Sequence, residues 1–128
     1  MHDSHNRGAA CEYTAAAHFA SQGWTIFWTP NGSNPCDFII RKRGETKGVQ
    51  VKSAAWLEQG GVKYLRASVS PSRPYVSSDF DLLAIVGPSE RIWTIPFEHI
   101  PETSTVYLEK KKDGEVETYE WDQWLTKT

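Results

Sequence analysis

Small apolar side chains recur at helical intervals near the start of the chain. Cys11, Ala15 and Phe19 share one stripe, with Ala16 and Ala20 beside it. That spacing predicts a helix over Gly8–Gln22, with Asn6 as its N-cap and Gly23 as its stop. Glu12 adjoins the stripe, so its carboxylate is expected at the rim of whatever the helix packs against. From Trp24 the period changes. Trp24–Thr29 is rich in aromatic and β-branched residues and reads as a strand, ended by the turn-forming run Pro30 to Pro35.

The same alternation predicts strands over Asp37–Arg41, Val49–Ser53, Tyr64–Val69, Leu82–Val86 and Ile92–Ile95. Breaks fall at Gly44, at Gly60-Gly61 and at Gly87-Pro88. Ser70–Ser78, rich in serine and proline, reads as a surface loop. Val106–Lys110 is expected to pair with residues near Glu117 through an Asp113-Gly114 hairpin turn, and Trp121–Leu125 to close the chain as a short helix. No internal repeat or linker interrupts this order. The expected fold is α/β (α+β), a mixed sheet with a helix packed on it, in one domain over residues 1–128.

A chain of 128 residues with 39% hydrophobic side chains suffices for one core and argues against a disordered tail. No apolar run is long enough to span a bilayer, and the first residues lack the apolar stretch of a secretory signal. Only Cys11 and Cys36 are present, without a CxxC pair, which fits a reducing, cytoplasmic setting. The net charge of −2 hides a division along the chain. Between residues 38 and 78 eight basic side chains stand against two acidic ones; from residue 79 onward five basic face eleven acidic. The middle third is therefore expected to offer a basic face to phosphates through Arg41, Lys42, Arg43, Lys63, Arg66 and Arg73.

The chemistry concentrates in Val49-Gln50-Val51-Lys52. In a strand the two valines turn to one face while Gln50 and Lys52 share the other. Asp37 opens the preceding strand, so neighbouring strands would gather Asp37, Gln50 and Lys52 at one sheet end. An Asp carboxylate and a Gln carbonyl are hard oxygen donors for a divalent cation. Lys52 is placed to orient water or offset charge on a phosphate, and Glu12 to arrive from the helix.

A helix Glu12, then Pro35-Cys36-Asp37, then Gln50-Val51-Lys52 resembles the PD-(D/E)XK nuclease superfamily. The likeness is strongest to group I intron-associated, homing-type endonucleases, in which Gln also takes the usual acidic position of the third motif. It runs from Gly8 to about Ile100 and includes the segment from Asp79 to Val86. Archaeal-type Holliday junction resolvases share the core but normally carry Glu-x-Lys. The resemblance implies a restriction-endonuclease-like core and cleavage of duplex or branched DNA. It implies Mg²⁺, with Mn²⁺ able to substitute, held by Glu12, Asp37, Gln50 and Val51, and Lys52 serving the reaction. A homodimer or larger assembly is expected, because so short a chain covers little DNA.

Two departures stand out. Cys36 lengthens the Pro-Asp motif by one residue, and Gln50 removes a negative charge. A Holliday junction resolvase and a DNA-binding protein that has lost catalysis therefore stand as alternatives. Singly, the residues have plainer readings: Glu12 on a solvated helix face, Asp37 in a turn, Lys52 at a strand end. Trp28 and Trp56 flank the segment and suit either base stacking or core packing. Lys110-Lys111-Lys112 reads as a hairpin tip able to touch backbone phosphate, while His18 and His99 read as a packed and a surface histidine.

Overall fold

The computed structural model describes residues 3–30, 36–69, 79–100 and 105–126, with backbone alone for 3–7. Pro35, Arg73 and the loop Ser70–Ser78 lie outside the described residues. Helix α1 spans Asp3–Ser21, five residues earlier than its spacing predicts. Asn6 thus lies inside the helix rather than capping it; nothing between Asp3 and Gly8 breaks a helix, and Asp3 and Ser4 are equally good initiating types. The C-terminus ends as expected. Gly23 adopts φ 94, the N–H of Trp24 donates to Phe19 O, and that of Gly23 to Ala20 O, the paired bonds of a Schellman stop.

Among the described residues eight strands follow: β1 (Thr25–Trp28), β2 (Phe38–Lys42), β3 (Glu45–Gln59), β4 (Val62–Ser68), β5 (Leu82–Val86), β6 (Ile92–Pro96), β7 (Thr105–Lys112) and β8 (Glu115–Thr118). The chain between β8 and the C-terminal residues, Glu120–Trp124, is 3-10 rather than α-helical. Three hairpins close through two-residue turns, Arg43-Gly44, Gly60-Gly61 and Asp113-Gly114, with both residues at positive φ. Such turns match the right-handed twist of the strands they join. Arg43 takes φ 52 there without the ease of glycine, which is why only Gly44 announced that turn.

Strand order is β1-β2-β3-β4-β7-β8, with β5 laid along β3 and β6 along β5. The β3–β5 pair is parallel; the other pairs are antiparallel. β3 is 15 residues long, against the five predicted, and is the branch point of the sheet. It pairs in turn with β2 over Glu45–Val49, β5 over Val49–Ser53 and β4 over Ala54–Gln59.

Two apolar clusters cover the two faces. On one, Ala15, Ala16 and Phe19 of α1 meet Phe38, Ile40, Val49, Val51, Ala84, Val86 and Ile92. Ala20, expected beside this stripe, is exposed instead. On the other, Leu83, Ile85, Trp93 and Ile95 pack against Ala54, Leu65, Ala67, Val106 and Leu108 of the second half-sheet, and against Trp121. β5 sends alternate residues into both clusters, the habit of a strand covered on both sides.

One charge pair is built into this frame. Arg91 Nη1 donates to Glu109 Oε2 at 2.6 Å, and Glu109 is buried. Arg91→Ala is expected to cost about 2–3 kcal/mol in denaturant unfolding, because a buried carboxylate loses its partner. The double change with Glu109→Gln should recover most of it. A loss below about 0.5 kcal/mol, the level of an ordinary surface change, would mean that Glu109 is served by solvent instead.

Candidate active site

Between Val49, where pairing with β2 ends, and Ala54, where pairing with β4 begins, Gln50–Ser53 pair only with β5 among the described strands. One edge of β3 is open there. Side-chain alternation fixes what faces each way. Val49 and Val51 enter the cluster beneath α1, so Gln50 and Lys52 lie on the opposite face, both partly buried. Asp37 precedes Phe38, which also enters the α1 cluster, and its N–H donates to Val49 O at 2.8 Å. Asp37 is thereby tied to the Val49 carbonyl at the end of the β2–β3 ladder, one residue before the Phe38–Val49 pair.

The Asp37 carboxylate closes part of the open edge, accepting a 2.7 Å hydrogen bond from the Val51 N–H through Oδ2. A strand residue presents its N–H and C=O to the same edge, so the Val51 carbonyl is directed into the same opening. The loop before β2 is held by Thr29, whose hydroxyl lies 2.8 Å from Cys36 O and 3.0 Å from Asp37 O. From the other side Asp81 grips β3: its Oδ2 accepts from Gly48 N at 2.7 Å and its N–H donates to Gly48 O at 2.8 Å. Gly48 also passes close to Cys36, whose Sγ would lie 3.3 Å from an added Cβ.

Electrostatics tie Glu12 to this opening. Burial raises the Glu12 carboxyl above its ordinary pKa, and the charge of Asp37 raises it further. Asp37 is raised by burial, and partly restored by the Val51 N–H bond and the Lys52 ammonium. Glu12 and Lys52 are thus both within electrostatic reach of Asp37, although Glu12 comes from the helix layer.

Two carboxylates that repel one another suit a hard divalent cation, to which the Gln50 amide and the Val51 carbonyl on β3 could add neutral oxygens. Such an ion would remove the repulsion that raises Glu12. Among the described residues no group of three or more His, Cys, Asp and Glu gathers that could hold a metal ion, so a cation here would need the neutral oxygens of Gln50 and Val51 as well.

The basic residues are dispersed. Arg41 is exposed on β2 with Nη1 3.3 Å from Thr46 Oγ1, and Arg43 is exposed in its turn. Lys42 is engaged within the fold: Nζ donates to Gln22 O at 3.0 Å and sits 4.8 Å above the Trp24 ring. Lys63 and Arg66 belong to β4, on opposite faces of the second half-sheet. Trp56 lines a depression there with Glu58, Lys63 and Lys111, whereas Trp28 sits next to Thr29. His18 is partly buried, held below its ordinary pKa by desolvation, with Nε2 3.3 Å from Thr126 Oγ1. The roles of Thr29 and Asp81 were not anticipated. Asp81 stands just before the apolar run of β5, inside the segment Asp79–Val86 singled out in the sequence.

No family model matches the chain. It is 27% identical over 116 residues to Protein 5.3 of Escherichia phage T7, covering 89% of this chain and 98% of that protein. The fold matches the structure of a bacterial homing endonuclease, I-Ssp6803I, with a TM-score of 0.76 and 19% identity over 92% of this chain and 83% of the other. The helix-on-mixed-sheet architecture expected from the motifs is therefore present, and it is the restriction-endonuclease-like fold of that enzyme. No helix among the described residues is long and apolar enough to cross a membrane.

Proposed function

We propose that the protein is a divalent-metal-dependent DNA endonuclease whose site is Glu12, Asp37, Gln50 and Lys52. The observation that carries this is the repelling Glu12–Asp37 pair beside Lys52, at the stretch of β3 that pairs with β5 alone among the described strands. Glu12, Asp37, Gln50 and the Val51 carbonyl would hold Mg²⁺ or Mn²⁺. When bound, such an ion polarises a phosphate and lowers the pKa of water. Lys52 presents a fixed positive charge to the phosphate and offsets the charge that grows on its oxygens. Asp37 is held by the Val51 N–H, so its second oxygen is presented in a set direction. The likeness in fold to a homing endonuclease supports this reading.

A second reading, DNA binding without cleavage, is favoured by Gln50, which leaves only two side-chain anions for a cation. Incubating the pure protein with plasmid and linear DNA separates the two. Cleavage with Mg²⁺ that stops with EDTA and returns with Mn²⁺ is expected. Binding with no cleavage under any divalent ion would establish the second reading and overturn the first.

A further inference from the structure

Two aromatic side chains beside the carboxylates are more open than packing accounts for. Tyr13 follows Glu12 on α1; Trp28 ends β1, one residue before the hydroxyl that anchors the Asp37 loop. Their rings meet edge to face, 5.4 Å between centroids and 71° between planes. Trp28 leans in turn on fully buried Phe38, at 5.3 Å and 64°. The neighbouring pair of Phe19 and Phe38 is wholly inside the core. Tyr13, by contrast, keeps 66% of its surface exposed and Trp28 49%. A clasp between helix and strand would bury these rings. β1 is also an edge strand, where an open indole invites association with other chains.

We propose that Tyr13 and Trp28 form a shelf on which one unpaired nucleobase of the bound DNA stacks, so that the favoured substrate carries a base outside the double helix, as at a bulge, flap or branch. The inference rests on the nuclease reading and deepens it. A phosphodiester seated at Glu12 and Asp37 carries a nucleoside on either side; Tyr13 follows Glu12 on α1, and Trp28 precedes Thr29, whose hydroxyl holds Asp37. A base inside a duplex already has both faces covered by its neighbours, so only an extruded base offers a face to the shelf. Phe38 fixes Trp28 before any DNA arrives, so stacking orders little new. Stacking does not read base identity; it selects for the unpaired state.

The test uses the full chain carrying Lys52→Ala, expected to cut too slowly to disturb a binding measurement, and two DNAs: a paired duplex and the same duplex with one extra, unpaired 2-aminopurine. The bulged DNA should bind about tenfold more tightly, with its 2-aminopurine emission quenched on binding. Adding Trp28→Ala should abolish both the preference and the quenching while leaving affinity for the paired duplex unchanged. Tyr13→Ala, on an open helix face where folding is not at stake, should reduce both. Equal affinity for the two DNAs, or a preference that survives both substitutions, overturns the shelf and leaves the nuclease reading standing. Failure to bind either DNA overturns both.

Discussion

Asp37→Asn is expected to slow DNA cleavage about a thousandfold while leaving the protein folded and slightly more heat-stable in metal-free buffer. The change keeps the size of the side chain and an oxygen able to accept from the Val51 N–H, so the strand edge stays closed. What disappears is the charge that would hold the cation, and removing one preorganised electrostatic group typically costs a hundred- to a thousandfold in rate. The stability sign follows from the titration. Burial raises the Asp37 pKa in the folded state, so the folded chain binds that proton more tightly than the unfolded one. Stability then grows as pH falls through the folded pKa, and at neutral pH the ionised form carries a penalty that the amide removes. Glu12, raised by burial and by Asp37, gains from the same substitution. Lys52→Ala should slow cleavage by a similar factor but without the gain in stability. A folded Asp37→Asn protein that cuts at even a tenth of the normal rate would remove Asp37 from the site.

Substitutions of Gln50 should change metal affinity most. Hard cations bind more tightly as anionic ligands replace neutral ones, so Gln50→Glu should tighten Mg²⁺ binding on the order of tenfold and Gln50→Ala should weaken it comparably. The gain has a structural cost. A third carboxylate between Val49 and Val51, both of which bond Asp37, adds to a repulsion already felt at Glu12, so Gln50→Glu should melt lower than the wild type without metal. The order should reverse at saturating Mg²⁺, because a ligand that binds only the folded state stabilises in proportion to the logarithm of its excess over Kd. Thermal melts across a Mg²⁺ titration measure both effects. Identical titrations for wild type and Gln50→Ala would reduce Gln50 to an ordinary strand residue.

Much of this architecture is legible in the sequence, because apolar spacing acts locally. The α1 stripe, the Gly23 stop and the alternation around Val49–Lys52 each depend on a few adjacent residues. β3 is far longer than predicted because Glu45, Lys47 and Glu58 blur its alternation, and because hairpin partners rather than propensity extend it. The parallel joining of β3 to β5, and the nearness of Glu12 to Asp37, depend on how distant segments pack, which no local pattern encodes. Lys42 illustrates the limit for charges. Its sequence context suggests a phosphate contact, while the fold directs it to a helix-end carbonyl and an indole face.

The double service of β3 also bears on how such a chain can change over generations. Valines and site residues alternate without a gap from Val49 to Lys52, and each valine belongs to the packing beneath α1. A codon gained or lost ahead of Gln50 would exchange the two sets, turning an ammonium inward and valines out to the opposite face. Drift in this stretch is thus confined to replacement at fixed positions. Length variation is left to the turns at either end of β3, Arg43-Gly44 and Gly60-Gly61, where pairing stops.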